Sequence, residues 1–327
     1  MQVFRGLPLV AQRQPCALTI GNFDGVHRGH QAMLSMLVHE ARQRGLPAAV
    51  LTFEPHPRDF FARRGGRPEA APTRVSTLRD GVAALADCGV DRLVVLRFDA
   101  ALAALSATDF IGQVLQDGMQ SRLVMVGDDF RFGAGRKGDY ALLDAEGGRR
   151  GFDVARMMSF EVHGLRVSSS AVRAALAAGD MLRASALLGR PYTVTARASH
   201  GRKLGRELGF PTLNLRFSHA RPAASGIFVA RVHGLQDGAD DRPVPAVASF
   251  GVRPTVEDAG RVLLEVHCLQ WPQALGPEGG YGRCLRVELL HKLHDELKYD
   301  SLEALRQGIA RDVEAARAWF GAPANAD

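Results

Sequence analysis

The chain has 327 residues, 46% of them hydrophobic and 23% charged, with a formal net charge of +6. That length exceeds what one hydrophobic core fills, so two domains are expected, and the balanced composition excludes extensive disorder. No apolar run is long enough to span a bilayer, and the early stretch "LPLV" is cut off by "AQRQP", too short for a secretory leader, so a cytoplasmic protein is expected.

Cys16, Cys88, Cys268 and Cys284 lie far apart with no CxxC pair, which reads as four reduced thiols rather than a zinc knuckle or a disulfide framework. The basic stretches "ARRGGR" and "EGGRRG" are short and call for no nucleic-acid partner. Lysines number four, so a lysine inside a glycine-rich loop carries more information than any single arginine.

In chain order, the first half alternates apolar runs with helical periodicity. "CALTI", "AAVLTF", "DRLVVLRF" and "RLVMVG" read as buried strands of a parallel sheet. Between the first two, Leu34, Leu37, Val38 and Ala41 recur at helical spacing until Gly45 and Pro47 end the element. This pattern predicts a doubly wound α/β sheet, whose ligands sit at the carboxyl ends of its strands. At "LLGRPY" the character changes, and a boundary is placed so that residues 1–187 and 188–327 form the two domains. Beyond it, "YTVTARAS", "GIFVARVHG", "VPAVASFG", "RVLLEVHCL" and "CLRVELL" read as short strands of a small antiparallel barrel or sandwich. A closing helix is predicted, capped by Ser301 and carrying Leu302, Leu305, Ile309, Val313, Ala316 and Phe320 as one apolar stripe.

Three loops of the first half suit an anion. "TIGNFDGVHRGH" places His27 and His30 in a glycine-rich turn before a helix, where unpaired N–H groups and the helix dipole favour phosphate and imidazoles add donors. "GDDFRFG" puts Asp128, Asp129 and Arg131 after another strand, and "RVSSSAVR" offers Arg166, Ser168, Ser169 and Arg173 at a helix start. Converging, they predict a nucleotide triphosphate site. "GAGRKG" fits the dinucleotide pattern GxGxxG, but "DDFRF" separates it from the strand and NAD binding is set aside; no P-loop motif occurs. In the second half, "HGRKLGRELGFPTLNL" is glycine-rich, contains Lys203, and sets Thr212 and Asn214 on one side of a strand, where both oxygens can ligate Mg2+. Read by itself, this stretch is by default a long hairpin loop.

The motifs "TIGNFDGVHRGH", "TFEPHP", "GDDFRFGAG" and "RVSSSAVR" resemble the N-terminal half of bacterial bifunctional riboflavin kinase/FAD synthetase, of the nucleotidyltransferase superfamily, and the resemblance extends over nearly the whole chain. It implies an HxGH adenylyltransferase half in which His27 and His30 contact ATP phosphates, Asn22, Asp24 and Gly25 line the site with Asp129 and Arg131, and Arg166, Ser168, Ser169 and Arg173 hold the triphosphate from the other side. The expected chemistry agrees: the FMN phosphate that attacks has a second pKa near ~6 and needs no base, only Mg2+ and donors that neutralise charge. In the barrel the resemblance implies a flavokinase loop with Gly201, Lys203, Gly209, Phe210 and Pro211 against ATP and flavin, Thr212 and Asn214 on Mg2+, and Arg253 nearby.

Phosphorylating riboflavin requires an alcohol to lose its proton, and a base is useful. Glu265 alternates in phase with His267 in an apolar strand, the pattern of a solvent-facing residue, but it matches the family's catalytic glutamate. The chain departs from the family pattern at Leu213 (usually alanine), Ser249 (asparagine), His294 (arginine) and Tyr299 (phenylalanine). Leu213 is expected to face away from the metal, and Glu296 with the terminal helix to close over the isoalloxazine ring. The expected activity is riboflavin to FMN and FMN to FAD, with riboflavin, FMN and ATP as the partners. An adenylyltransferase with a ligand-binding barrel and a flavin-responsive binding protein are the alternatives.

Overall fold

A computed structural model describes residues 1–158, 161–162, 165–201, 204–219, 221–236, 242–252 and 262–323. The chain forms two compact units, one of Met1–Pro72 with Gly81–Ser168 and one of Thr73–Asp80 with Ser169–Asp327.

The first unit is built on a parallel sheet of β1 (Gln2–Arg5), β2 (Cys16–Ile20), β3 (Ala48–Glu54), β4 (Arg92–Arg97), β5 (Ser121–Gly127) and β6 (Asp153–Met157), in the order β1-β4-β3-β2-β5-β6. All five residues of "CALTI" are buried, as a central strand covered on both faces must be. From β2 the chain moves outward through β3 and β4, then returns to β2's other side as β5, so the order reverses beside β2. Such a reversal opens a crevice at the strands' carboxyl ends, and the loops after β2 and β5 flank it. The helix Arg28–Gln43 buries Leu34, Leu37, Val38 and Ala41, and the last three join a cluster with Ala17, Leu123 and Met125. Strands β1 and β6 were not predicted. Both are edges, and "QVFR" and "DVARM" lack the buried apolar run that marked their neighbours. A short antiparallel pair of strands, β7 (Glu161–Val162) and β8 (Leu165–Arg166), follows.

The second unit contains β9 (Tyr192–Ser199), β10 (Leu213–Phe217), β11 (Gly226–His233), β12 (Val244–Val252), β13 (Val262–Cys268) and β14 (Cys284–His294). They close into an antiparallel barrel, β10-β13-β12-β11-β14-β9, so the open choice between barrel and sandwich resolves as a barrel without edges. Phe228, Phe250, Leu215 and Leu264 are completely buried, each contributing about 1.5–3 kcal/mol of hydrophobic stabilisation. Strand β14 continues four residues past the predicted "CLRVELL", through "HKLH", where charge conceals the alternation.

The terminal helix, Leu302–Gly321, is capped by Ser301, whose side chain accepts from the Ala304 N–H at 3.1 Å. Its apolar cluster with Val229 and Val247 runs from Ile309 to Phe320. Leu302 departs from the predicted stripe: it is 60% exposed, because the first turn precedes that cluster. Two residues before the helix fasten it instead. The Tyr299 hydroxyl lies on Gly308, where no Cβ has room. His294 donates from Nε2 to Asp312 Oδ1 at 2.7 Å and from Nδ1 to the Asp295 carbonyl at 2.7 Å.

With both ring nitrogens facing acceptors, His294 fits as imidazolium. Burial opposes that charge, but the hydrogen bonds to Asp312 and the Asp295 carbonyl outweigh it, and its pKa is raised. A raised folded pKa contributes stability that is complete below the unfolded value of about 6.5 and is lost as pH rises through the folded one. We therefore expect His294→Ala to destabilise the protein more at pH 5.5 than at pH 8.5 in urea melts; equal losses at both would show that the charge is immaterial.

Candidate active sites

The turn between β2 and its helix is strained. Phe23 and Val26 have φ of 47° and 41°, flanking Gly25 at 84°. A β-branched residue at positive φ persists only where its surroundings fix it. Here the Val26 N–H donates to the Phe23 carbonyl at 3.1 Å, Gln31 Nε2 donates to the Val26 carbonyl at 2.9 Å, and Thr52 Oγ1 donates to the Asn22 carbonyl at 3.4 Å. His27 caps the helix, its Nδ1 accepting from the His30 N–H at 3.2 Å. The proton of a neutral His27 then sits on Nε2. The two imidazoles stack with centroids 3.6 Å apart and planes 13° from parallel. Gly29 permits this: a Cβ there would stand 3.3 Å from the His27 ring and 3.4 Å from the Val167 carbonyl. The same contact brings Val167, and with it Ser168, alongside the histidine turn. Asp24 is buried beside them and Asn22 is exposed.

The other predicted anion contacts distribute as follows. Asp129 and Arg131 follow β5 at the sheet's carboxyl edge, and both are exposed. Arg131 pairs with Asp139 at 3.1 Å, while Asp139 caps the next helix by accepting from the Leu142 N–H at 3.0 Å. Arg166 pairs with Glu161 through the β7–β8 backbone. Ser169 opens the helix Ser169–Ala178, and Arg173 within it donates from Nε to the Thr73 carbonyl at 2.7 Å. Sequence reading assigned no role to an aromatic group at the ends of β3 and β4: Phe53, Phe60 and Phe61 each meet Phe98 edge-on at 5.5–5.8 Å, and Phe61 is 52% exposed. The adjacent phenylalanines in "HPRDFF" were the available signal. An exposed aromatic face at the ligand edge of the sheet suits a planar ring system.

In the barrel the candidate residues align across strands. Asn214 on β10 is registered against Glu265 on β13, and Glu265 against Ser249 on β12. Facing positions of this kind have Cβ atoms about 5 Å apart. Buried Val262, Leu264, Val266 and Cys268 alternate with the partly exposed Leu263, Glu265 and His267 along β13. Leu213 is buried, 3% exposed, on the face opposite Asn214, so it points away from the row as expected.

Asn214 is only 3% exposed, and its Oδ1 has no hydrogen-bond partner among the described residues. A buried amide oxygen left this way carries a desolvation penalty, and a hard cation relieves it. Gly201 crosses directly above: a Cβ there would lie 2.6 Å from Asn214 Nδ2 and 2.7 Å from Oδ1. The Pro211–Thr212 backbone is held from outside, by His267 Nδ1 donating to the Pro211 carbonyl at 2.9 Å and the Tyr281 hydroxyl donating to the Thr212 carbonyl at 3.2 Å. Burial lowers the His267 pKa, so a neutral ring makes that bond. Phe210 packs edge-on against His267, and Gly209 supplies the turn before it at φ 88°. Lys203 and Arg253 lie outside the described residues.

Residues 9–171 match the FAD synthetase family and residues 188–320 the riboflavin kinase family. The chain is 43% identical over 323 residues, 98% of each chain, to the bifunctional riboflavin kinase/FMN adenylyltransferase of Escherichia coli strain K12. It is 44% identical over 319 residues, 97% of each chain, to the protein of the same name from Pseudomonas fluorescens. Among solved structures, a Streptococcus pneumoniae protein described as a macrolide-efflux protein aligns with 97% of this chain and 98% of its own, at a TM-score of 0.72 and 26% identity. Among the described residues here, no helix is long and apolar enough to cross a membrane.

Glu296 adds a second carboxyl to the barrel row. It lies against Gly251, where it leaves no room for a Cβ, and Ser249 Oγ donates to its Oε1 at 3.5 Å. Burial raises its pKa, the charge of Glu265 raises it further, and the Ser249 hydrogen bond only partly opposes them. A carboxyl with a raised folded pKa stabilises the fold most below its unfolded value and loses that contribution as pH climbs through the folded one. Glu296→Gln is therefore expected to become progressively more stable than the parent protein as pH rises from the ordinary glutamate range towards neutrality. Thermal melts across that range check it, and a gap that narrows with rising pH would reverse the assignment.

Proposed function

Because this chain belongs to the bifunctional riboflavin kinase/FMN adenylyltransferase family, we propose that it converts riboflavin and ATP to FMN and ADP in residues 188–327, and FMN and ATP to FAD and pyrophosphate in residues 1–187. The observation that carries the reading is the registered pair of Asn214 and Glu265, a buried amide oxygen without a hydrogen bond among the described residues, opposite a carboxyl on the neighbouring strand.

In the kinase half, Glu265 accepts the proton of the ribityl hydroxyl. That oxygen forms a bond to the γ-phosphorus of ATP as the bond to the ADP oxygen breaks. Thr212 and Asn214 are the residues that would hold Mg2+, whose contribution when bound is to neutralise charge between the phosphates. The backbone of Gly201 and Gly209 gives the phosphates close approach, with Lys203 as the loop's lysine charge for them. Phe210, Pro211 and Arg253 complete the ATP and flavin contacts of this half.

In the adenylyltransferase half, an FMN phosphate oxygen attacks the α-phosphorus of ATP and pyrophosphate leaves. The attacking group is already ionised, so the residues bind and neutralise rather than move protons. His27 Nε2–H and His30 sit at a helix N-terminus that favours anions. Arg166, Ser168, Ser169 and Arg173 take the opposite side of the triphosphate, and Asn22, Asp24, Gly25, Asp129 and Arg131 line the crevice. The aromatic group around Phe61 supplies a surface for the isoalloxazine ring. A cytoplasmic setting fits a protein that consumes ATP twice and carries four free cysteines.

The alternatives, an adenylyltransferase with a passive barrel and a flavin-responsive binding protein, differ in turnover. Purified protein incubated with riboflavin, ATP and Mg2+ should yield FMN and then FAD by chromatography. His27→Ala should accumulate FMN, with adenylyl transfer down about 10²–10³-fold, the cost of removing one preorganised donor. Glu265→Ala should slow FMN formation about 10²–10⁴-fold, the range for a lost general base, yet still adenylylate supplied FMN. A folded Glu265→Ala protein that still makes FMN at the parent rate would favour the passive barrel.

A further inference from the structure

The segment between β13 and β14 folds over the loop that joins β9 to β10. Glu278 reaches that loop twice. Its Oε1 accepts from Arg206 Nη2 at 2.9 Å, and its Oε2 lies 3.6 Å from His200 Nε2. Three residues further on, Tyr281 stacks on His200 with centroids 3.8 Å apart while its hydroxyl holds the Thr212 carbonyl. Arg206 lies in the helical turn Leu204–Glu207, which is closed by the Phe210 N–H donating to the Gly205 carbonyl at 2.6 Å. Among the described residues of the loop, His200, Arg206 and Thr212 are thus each tied to residues 278–281.

The Glu278 and Arg206 side chains are 52% and 40% exposed, and exposed ion pairs add little to global stability. Their consequence is local. A glycine-rich loop has many conformations, and closing it on a nucleotide costs entropy that prior anchoring removes. Pairing with Glu278 also turns Arg206 towards a carboxylate, so this arginine acts on the loop's conformation and leaves direct phosphate contact to the backbone.

We propose that Glu278 is a positioning residue of the kinase half, fixing the helical turn Leu204–Glu207 through Arg206, and His200 beside it, so that ATP meets backbone already in place. This rests on the reading that the same loop holds the ATP phosphates. In steady-state FMN formation, Glu278→Gln should raise KM for ATP three- to tenfold with kcat within twofold. Adenylylation of supplied FMN and the melting temperature should stay unchanged. Arg206→Gln should reproduce the effect, and the double variant should be no worse than either single one. Asn214→Ala serves as the reference and should abolish FMN formation. If Asn214→Ala is inactive but Glu278→Gln leaves KM unchanged or lowers it, or if the Glu278 and Arg206 effects multiply, the positioning role is wrong. An active Asn214→Ala protein would instead overturn the placement of the phosphates.

Discussion

The pairing of β10 with β13 is the constraint on which the kinase half depends. Register places Asn214 opposite Glu265, and Glu265 opposite Ser249. A slip of β10 by one residue would turn Asn214 and Arg216 into the barrel interior and bring Leu213 and Leu215 out, placing a charge in the core and exposing apolar groups. The hydrophobic interior therefore fixes the polar row. Closure strengthens this, because every strand has two neighbours and none can shift alone.

On the proposed reading, the two halves would hold phosphate by different physical means. In the barrel, rigid strands supply the side chains and the loop above them supplies backbone. At the parallel sheet, no strand residue is offered. A strained turn at the carboxyl end of β2 displays two stacked imidazoles, and its energy is met by a helix cap, a network of turn hydrogen bonds and a glycine too small to push the rings apart. Strain of this kind belongs where geometry matters more than stability.

What was legible in the sequence follows from how local its cause is. "CALTI" announced a central strand because burial on both faces leaves an unbroken apolar run, and the helix after "HRGH" announced itself by period. The histidine pair was legible because spacing and a following helix together define the turn. β1, β6 and the "HKLH" end of β14 were not, since pairing alone makes them strands and their residues face solvent or charge. Glu278 was illegible for the same reason: nothing within "GPEGG" indicates that a loop some seventy residues earlier supplies its partners. Glu265 was the intermediate case, visible as a strand residue but indistinguishable by alternation from an ordinary solvent-facing glutamate.

Two of the four residues read from the sequence as departures from the family pattern, His294 and Tyr299, act on one short connection. His294 and Tyr299 bracket the segment between β14 and the terminal helix, and Glu296 lies within it. His294 grips Asp312 on the helix, and Tyr299 rests on Gly308 one turn earlier. Both ends of the connection are thereby fixed to the same helix, which leaves Glu296 little freedom except to lie over Gly251 and Ser249, towards Glu265. The pKa values of His294 and Glu296 are shifted in the same direction, so mildly acidic conditions favour both the clasp and the inward carboxyl. As pH rises, the imidazolium that holds the helix discharges and the carboxyl beside Glu265 ionises. Both changes loosen the same connection, so the order of the segment between β14 and the terminal helix is tied to the protonation of two residues only two positions apart.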